Sequence, residues 1–220
     1  MEDQFNNISN SLANELEMFQ NSWNAAAPEG LQSKFEHGIA EVSATNRSAL
    51  TVGDKAPDFE LNNAVNRPVK LSTLLRSGPV ILSWYRGGWC PYCNIQLRYL
   101  QSYLSQFKAA GARLVALSPE LPDKSLSTTE KNELTFEVLT DYNNTVARQF
   151  NIAFTLNEEL VDIYNNFHKL EDYNGVATNE LPIPATYVID TDGMIRYAFV
   201  DPDYRKRAEP AEILAVLKSL

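Results

Sequence analysis

Only two cysteines occur in the 220 residues, Cys90 and Cys93, and Pro91-Tyr92 separates them. A thiolate is both a nucleophile and a metal ligand, so this CxxC admits two chemistries. A disulfide framework would use more cysteines at wider spacings. Structural zinc takes about four protein ligands. Only His37 and His168 remain, one in an N-terminal helical segment and one in a polar stretch, so carboxylates would have to complete such a site. Two inert buried thiols are the plain structural alternative. Redox chemistry suits the local context best, because the pair follows an apolar strand and opens a helix.

The elements that must position the pair are legible around it. Pro79-Val80-Ile81-Leu82-Ser83-Trp84-Tyr85 is a compact apolar run that predicts a buried central strand. Arg86 to Trp89 is a loop. Pro91 suits the first helical position, where its missing N–H costs nothing, and this places Cys90 at the N-cap. Unpaired N–H groups and the positive helix end favour thiolate there, as for cysteines whose pKa falls to roughly 3.5–7.5. Arg86 adds positive charge if it turns inward. Cys93 lies one turn on, in line with Leu97 on the buried stripe. The spacing therefore predicts an exposed Cys90 that attacks and a Cys93 behind it that resolves.

Further out, Leu97, Leu100, Leu104 and Phe107 form the helix's inward stripe, and Gly111 ends it. Arg113 to Leu117 is a second apolar strand, giving a right-handed β–α–β unit. Glu137-Val138-Leu139 is a short strand, and residues 151–181 read as a polar insertion of short helices. Ala185 to Ile189 and Met194 to Val200 are hairpin strands around Asp190-Thr191-Asp192-Gly193. A helix beginning near Pro210 closes the chain. Residues 1–45 carry an apolar stripe, Phe5, Ile8, Leu12, Leu16, Phe19 and Trp23, then a second one, Leu31, Phe35, Ile39 and Val42. The expected fold is α/β and thioredoxin-like, a central mixed sheet flanked by helices over 46–220, with an N-terminal helical arm over 1–45. Because such a core is closed by its own helices, the first stripe is expected to pack on the second arm helix or on a partner in a homodimer.

Composition narrows the function classes. Lys and Arg number 19 against 28 Asp and Glu, a net charge of −9. An acidic surface repels phosphate backbones and anionic lipids, which speaks against nucleic-acid and membrane partners. No apolar run approaches the ~18 residues of a membrane helix. The opening Met1-Glu2-Asp3-Gln4 lacks the basic and apolar regions of a secretion signal, so a cytoplasmic location is expected. The glycines at 87–88 make no phosphate-binding pattern, and no cofactor or metal is expected.

Trp89-Cys90-Pro91-Tyr92-Cys93 resembles the active-site motif of the thioredoxin superfamily, its Trp similar to thioredoxin and its Pro-Tyr similar to glutaredoxin. Val52 to Leu61, Arg86 to Cys93 and Pro184 to Gly193 resemble the peroxiredoxin-like proteins of the alkyl-hydroperoxide-reductase and thiol-specific-antioxidant family. The likeness covers about residues 50–220. It implies a catalytic pair, Cys90 and Cys93, with Trp89 and Arg86 beside the substrate. It also implies a cis-proline facing the pair; Pro184 matches that position, with Ile183 as the backbone that pairs with substrate and Pro182 as the rival. Three positions depart from the pattern. Gly87 and Ser83 stand where typical peroxiredoxins have Thr and Pro, and Trp84 stands where thioredoxin has a buried Asp. Arg196, Arg205 and Arg207 are candidates for the anion-stabilising arginine. His168 reads as a surface side chain.

The resemblance implies a thiol-based antioxidant oxidoreductase that reduces hydroperoxides or disulfides through Cys90. An external dithiol system, thioredoxin or glutathione, resets it. Its peroxide rate is expected to lie between that of a free thiolate and that of a peroxiredoxin with the full motif. The alternatives are a protein disulfide reductase without significant peroxidase activity, a redox-sensing interaction module, and metal or iron–sulfur binding across a dimer.

Overall fold

The computed structural model describes residues 11–45 and 48–220. Phe5 and Ile8 of the first stripe lie outside them. The arm forms α1 (Leu12–Ala26) and α2 (Leu31–Thr45). There follow β1 (Glu60–Asn62), β2 (Pro68–Lys70), α3 (Leu71–Leu75), β3 (Val80–Trp84), α4 (Pro91–Ala109) and β4 (Arg113–Ser118). Next come α5 (Pro122–Lys131), β5 (Glu137–Thr140), α6 (Thr145–Gln149), β6 (Ala153–Thr155), α7 (Glu158–Phe167) and α8 (Leu170–Asn174). The chain ends with β7 (Glu180–Pro182), β8 (Ala185–Ile189), β9 (Ile195–Val200) and α9 (Pro210–Leu217).

The main sheet runs β5-β4-β3-β8-β9. β3, β4 and β5 are parallel, while β8 pairs antiparallel with β3 and with β9. This is the thioredoxin-like mixed sheet. β3 is buried along its whole length, as a central strand covered on both faces must be. One face carries Leu82, Trp84, Val115 and Tyr187 in the largest apolar cluster; the other carries Ile81, Leu114 and Val188 against α4 and α9. β1–β2 and β6–β7 are small antiparallel ladders beside it. Among the described residues no helix is long and apolar enough to cross a membrane.

The arm packs differently from the expectation. Leu12 and Leu16 are buried in a cluster with Cys90, Tyr92, Cys93 and Ile95 at the start of α4. Phe19 meets Tyr92 edge-on, with centroids 5.0 Å apart. Trp23 meets α2 through Phe35 at 5.6 Å. The stripe thus finds its apolar surface on α4 of its own chain. Residues far away in sequence fix α1 there. Its first N–H groups, which have no intrahelical acceptor, are taken by the Glu209 carboxylate, 3.3 Å from Leu12 N and 2.7 Å from Ala13 N. Ser11 caps the same end through Asn14 N.

α2 crosses α7 closely because Gly38 has no side chain. A Cβ there would sit 2.4 Å from Leu160 Cδ1. Phe35 reaches Tyr164 of α7 at 6.0 Å, and Lys34 pairs with Glu159. Arm and insertion therefore form one layer over the N-terminal end of α4.

Since Leu12 is fully buried, Leu12→Ala is expected to cost about 2–5 kcal/mol. Urea unfolding followed by tryptophan fluorescence should show a lowered midpoint. An unchanged midpoint would mean that α1 is no part of the cooperative unit.

Candidate active site

β3 delivers the chain into the loop Arg86-Gly87-Gly88-Trp89, and α4 begins at Pro91 with Cys90 as its N-cap residue, φ −87° and ψ 114°. Buried polar groups hold the turn. Cys90 N donates to Gly87 O at 3.0 Å, and the Asn94 amide donates to Gly88 O and Cys90 O. Beneath the loop lies Glu120, fully buried after β4, which accepts from Gly88 N at 2.8 Å and from Tyr85 and Thr128 hydroxyls at 3.3 Å. Burial raises its pKa despite those donors. It is the buried carboxyl of this site, while Trp84, at the position of thioredoxin's Asp, is core, packed on Phe150 and Tyr187. Nothing in the local sequence of Glu120 marks it.

Both cysteines are buried, and Cys90 is only 2% exposed. The expected exposed nucleophile is covered because α1 and the aromatic layer close over the end of α4. The charge also sits elsewhere than expected. Burial, the largest influence on Cys93, opposes its ionisation. A hydrogen bond from Cys90, the Arg207 charge and the Arg86 backbone N–H outweigh burial and lower its pKa to about 5. Arg207 Nη2 lies 3.4 Å from Cys93 Sγ. Burial first, then the hydrogen bond to Cys93 and its charge, push Cys90 well above the usual thiol range. Of the two, Cys93 is the more acidic and Cys90 the less.

Arg86 is turned inward and only 2% exposed. Its guanidinium lies 4.4 Å from the Tyr204 ring centroid, 5.1 Å from Trp89 and 5.2 Å from Tyr164. It also donates to the Tyr164 hydroxyl. Burial disfavours its charge, but Tyr164 and the cysteines more than compensate, so it stays protonated. Desolvated cation–π contacts of this kind are worth about 2 kcal/mol or more. Among the described residues neither Arg86 nor Arg207 pairs with a carboxylate. Of the other candidate arginines, Arg196 is taken by Asp190 and Asp192, and Arg205 by Asp203 and Glu36.

Cys90 opens onto a cavity of about 310 Å³. Phe19 and Trp23 line it from α1, Phe35 from α2, Tyr164 and Phe167 from α7, and Arg86, Trp89, Tyr92, His168 and Tyr204 complete it. Cys93 is not among the lining residues. His168 is no free surface side chain: its ring lies 4.6 Å from that of Trp89. Burial, then Arg86, lowers its pKa, leaving it neutral. Among the described residues, three buried ring or guanidine nitrogens at this cavity have no hydrogen-bond partner: Arg86 Nε, Trp89 Nε1 and His168 Nε2. Tyr164 and Tyr204 were missed in the sequence, although Leu160, Ile163, Tyr164 and Phe167 show the helical spacing of α7.

Ile183 and Pro184 do not line this cavity, though Pro184 lines a neighbouring one with Arg86, Tyr164 and Tyr204. The bond before Pro184 is trans, as are all peptide bonds among the described residues. Ile183 is core, and its N–H donates to Ile152 O at 2.7 Å, which ties it to the β6–β7 ladder and removes it as a pairing group. Among the described residues no cluster of three or more His, Cys, Asp or Glu side chains could hold a metal ion.

Comparison with known proteins completes the picture. The family model described as AhpC/TSA family matches residues 52–198. A putative peroxiredoxin bcp from Haemophilus influenzae is 34% identical, the match covering 60% of this chain and 96% of the relative. Peroxiredoxin Q from the chloroplast of Sedum lineare is 25% identical over 78% of this chain and 80% of the relative. Among solved structures, peroxidoxin BcpB from Mycobacterium tuberculosis superimposes with a TM-score of 0.61 at 24% identity, covering 78% of this chain and 98% of that one. The family match leaves α1 and α2 outside.

The Cys93 pKa predicts the titration. Its folded value is depressed, so thiolate persists as the pH falls below the free-thiol value of about 8.5 and disappears only through about 5. The stability it contributes is complete above the first value and lost through the second. Arg207→Met should raise the midpoint of thiolate ultraviolet absorbance by about 1–3 units. An unmoved midpoint would remove Arg207 as the counter-charge.

Proposed function

The chain belongs to the AhpC/TSA family and is a thiol-dependent oxidoreductase of the peroxiredoxin kind; from that premise we propose that it reduces hydroperoxides at Cys90 and resolves the product with Cys93. The observation that carries the reading is the placement of Cys90: at a helix N-cap, on the wall of a 310 Å³ cavity, and one turn from a Cys93 whose sulfur lies 3.4 Å from Arg207 Nη2.

One proton, passed between the two thiols, orders the steps. Cys90 passes its proton to Cys93 and attacks the terminal peroxide oxygen as thiolate. An S–O bond forms, the O–O bond breaks, sulfur is oxidised by two electrons and the peroxide is reduced by two. The leaving alkoxide takes the proton held by Cys93 and departs as an alcohol. Cys90 is now a sulfenic acid, and Cys93 is again a thiolate. Cys93 attacks the Cys90 sulfur, the S–S bond forms, and hydroxide leaves to be protonated to water. An external reductant, one thioredoxin-type dithiol or two glutathione thiols, then gives two electrons to the disulfide, leaves as its own disulfide and restores the reduced pair. Arg86 and Arg207 hold the negative charge within the site through both attacks. The reading sets this cycle in the cytoplasm, where such dithiols are available.

A protein disulfide is the poorer substrate. It would have to reach a cysteine that is 2% exposed, and the Ile183 N–H that would pair with it is already occupied. A small hydroperoxide needs only the cavity. A homodimer would have to use a surface other than the α1 face already buried on α4.

Two variants test the division of labour. Cys93→Ser should still form sulfenic acid on Cys90 with one equivalent of hydroperoxide, detected by dimedone labelling, and should then over-oxidise to sulfinic acid. Cys90→Ser should form no dimedone adduct. An adduct on Cys93 in that variant, at the wild-type rate, would reverse the two roles.

A further inference from the structure

Gly87 and Trp89 share one space. A Cβ built on Gly87 would lie 2.2 Å from Trp89 Nε1 and 2.7 Å from its Cδ1, so the indole N–H occupies the volume that a side chain at position 87 would take. This N–H is buried and has no hydrogen-bond partner. Leaving such a donor unpaired is costly, and indole N–H can only donate. The ring has little freedom to turn its donor away. Tyr164 packs on it at 5.3 Å, His168 at 4.6 Å, and the Arg86 guanidinium stands 5.1 Å from it. The Gly87–Cys90 turn sets Trp89 on the wall of the cavity that Cys90 also lines, with Gly87 behind the ring. Arg86 Nε, a second buried unpartnered donor, lines that cavity too.

Resting on the peroxidase reading above, we propose that Trp89 Nε1–H is a catalytic hydrogen-bond donor. It binds a peroxide oxygen beside Cys90 and stabilises the negative charge that grows as the O–O bond breaks. Gly87 is its counterpart: a position emptied of side chain so that the indole donor can stand there. The donor gives up no proton; the alkoxide takes the one held by Cys93. Preorganised donors of this kind act on charge that exists only in the transition state, and losing one typically costs about 10²–10³ in rate.

The experiment uses reduced full-length protein, cumene hydroperoxide and hydrogen peroxide in stopped flow, and iodoacetamide alkylation of Cys90 as a measure of thiolate reactivity. Trp89→Phe keeps an aromatic ring without the N–H. Site-specific 3-benzothienylalanine at position 89 keeps the bicyclic shape as well, so it guards against a packing effect. The ratio of peroxide rate to alkylation rate should fall by about 100-fold in both. A ratio unchanged in the benzothienyl protein, with wild type oxidised faster than a free thiolate, would overturn the donor role and leave the peroxidase reading standing. A wild-type rate no better than that of a free thiolate would overturn the peroxidase reading itself.

Discussion

Two guanidinium groups lie buried beside two cysteines, and among the described residues neither finds a carboxylate. An uncompensated buried charge is costly. Arg86 meets part of the cost through three aromatic faces and a tyrosine hydroxyl. Arg207 has backbone carbonyls and the Cys93 sulfur. The remaining positive charge favours an anion, and the cysteine pair stands beside both guanidinium groups to supply it. The thiolate is therefore as much a demand of the folded interior as a property of the helix N-terminus. Arg207 touches the Cys93 sulfur directly, which makes Cys93 the more acidic partner.

Burial of the pair does not work against its chemistry. Field effects strengthen as water is excluded, because the local dielectric falls. α1, α2 and α7 exclude it, and the loop they cover is fixed by Glu120 and Asn94 rather than by solvent. The nucleophile, its proton partner and the cations thus keep a fixed geometry while the cavity stays large enough for a small molecule.

What the sequence revealed was local. Pro91 placed Cys90 at the N-cap, the run from Pro79 to Tyr85 placed β3, and the 190–193 turn placed the β8–β9 hairpin. Arg86 was singled out by its nearness to Cys90. What stayed hidden depends on contacts between distant residues. Glu120 reaches the loop from 32 positions away and Tyr164 reaches Arg86 from 78, and although Arg207 was one of three candidate arginines, nothing local showed that it is the one that reaches Cys93, 114 positions away. No period or motif records such distances. The stripe on α1 showed that a surface would be covered, but the matching face on α4 carried Tyr92 and Ile95 inside what read as an active-site helix. The cis-proline expectation came from resemblance alone, and the bond before Pro184 is trans.

The cavity wall is assembled from pieces of different standing. Trp89 and Cys90 come from the segment shared with the family; Phe19, Trp23 and Phe35 come from α1 and α2, which lie before the matched region. Chemistry and enclosure are thus written in separate stretches of one gene. The enclosing stretch can change under its own selective pressure, residue by residue, without disturbing a bond-making atom. Two relatives with the same CxxC loop but different leading segments would share a reaction and differ in what they admit to it. Similarity confined to the common domain would then be blind to the difference.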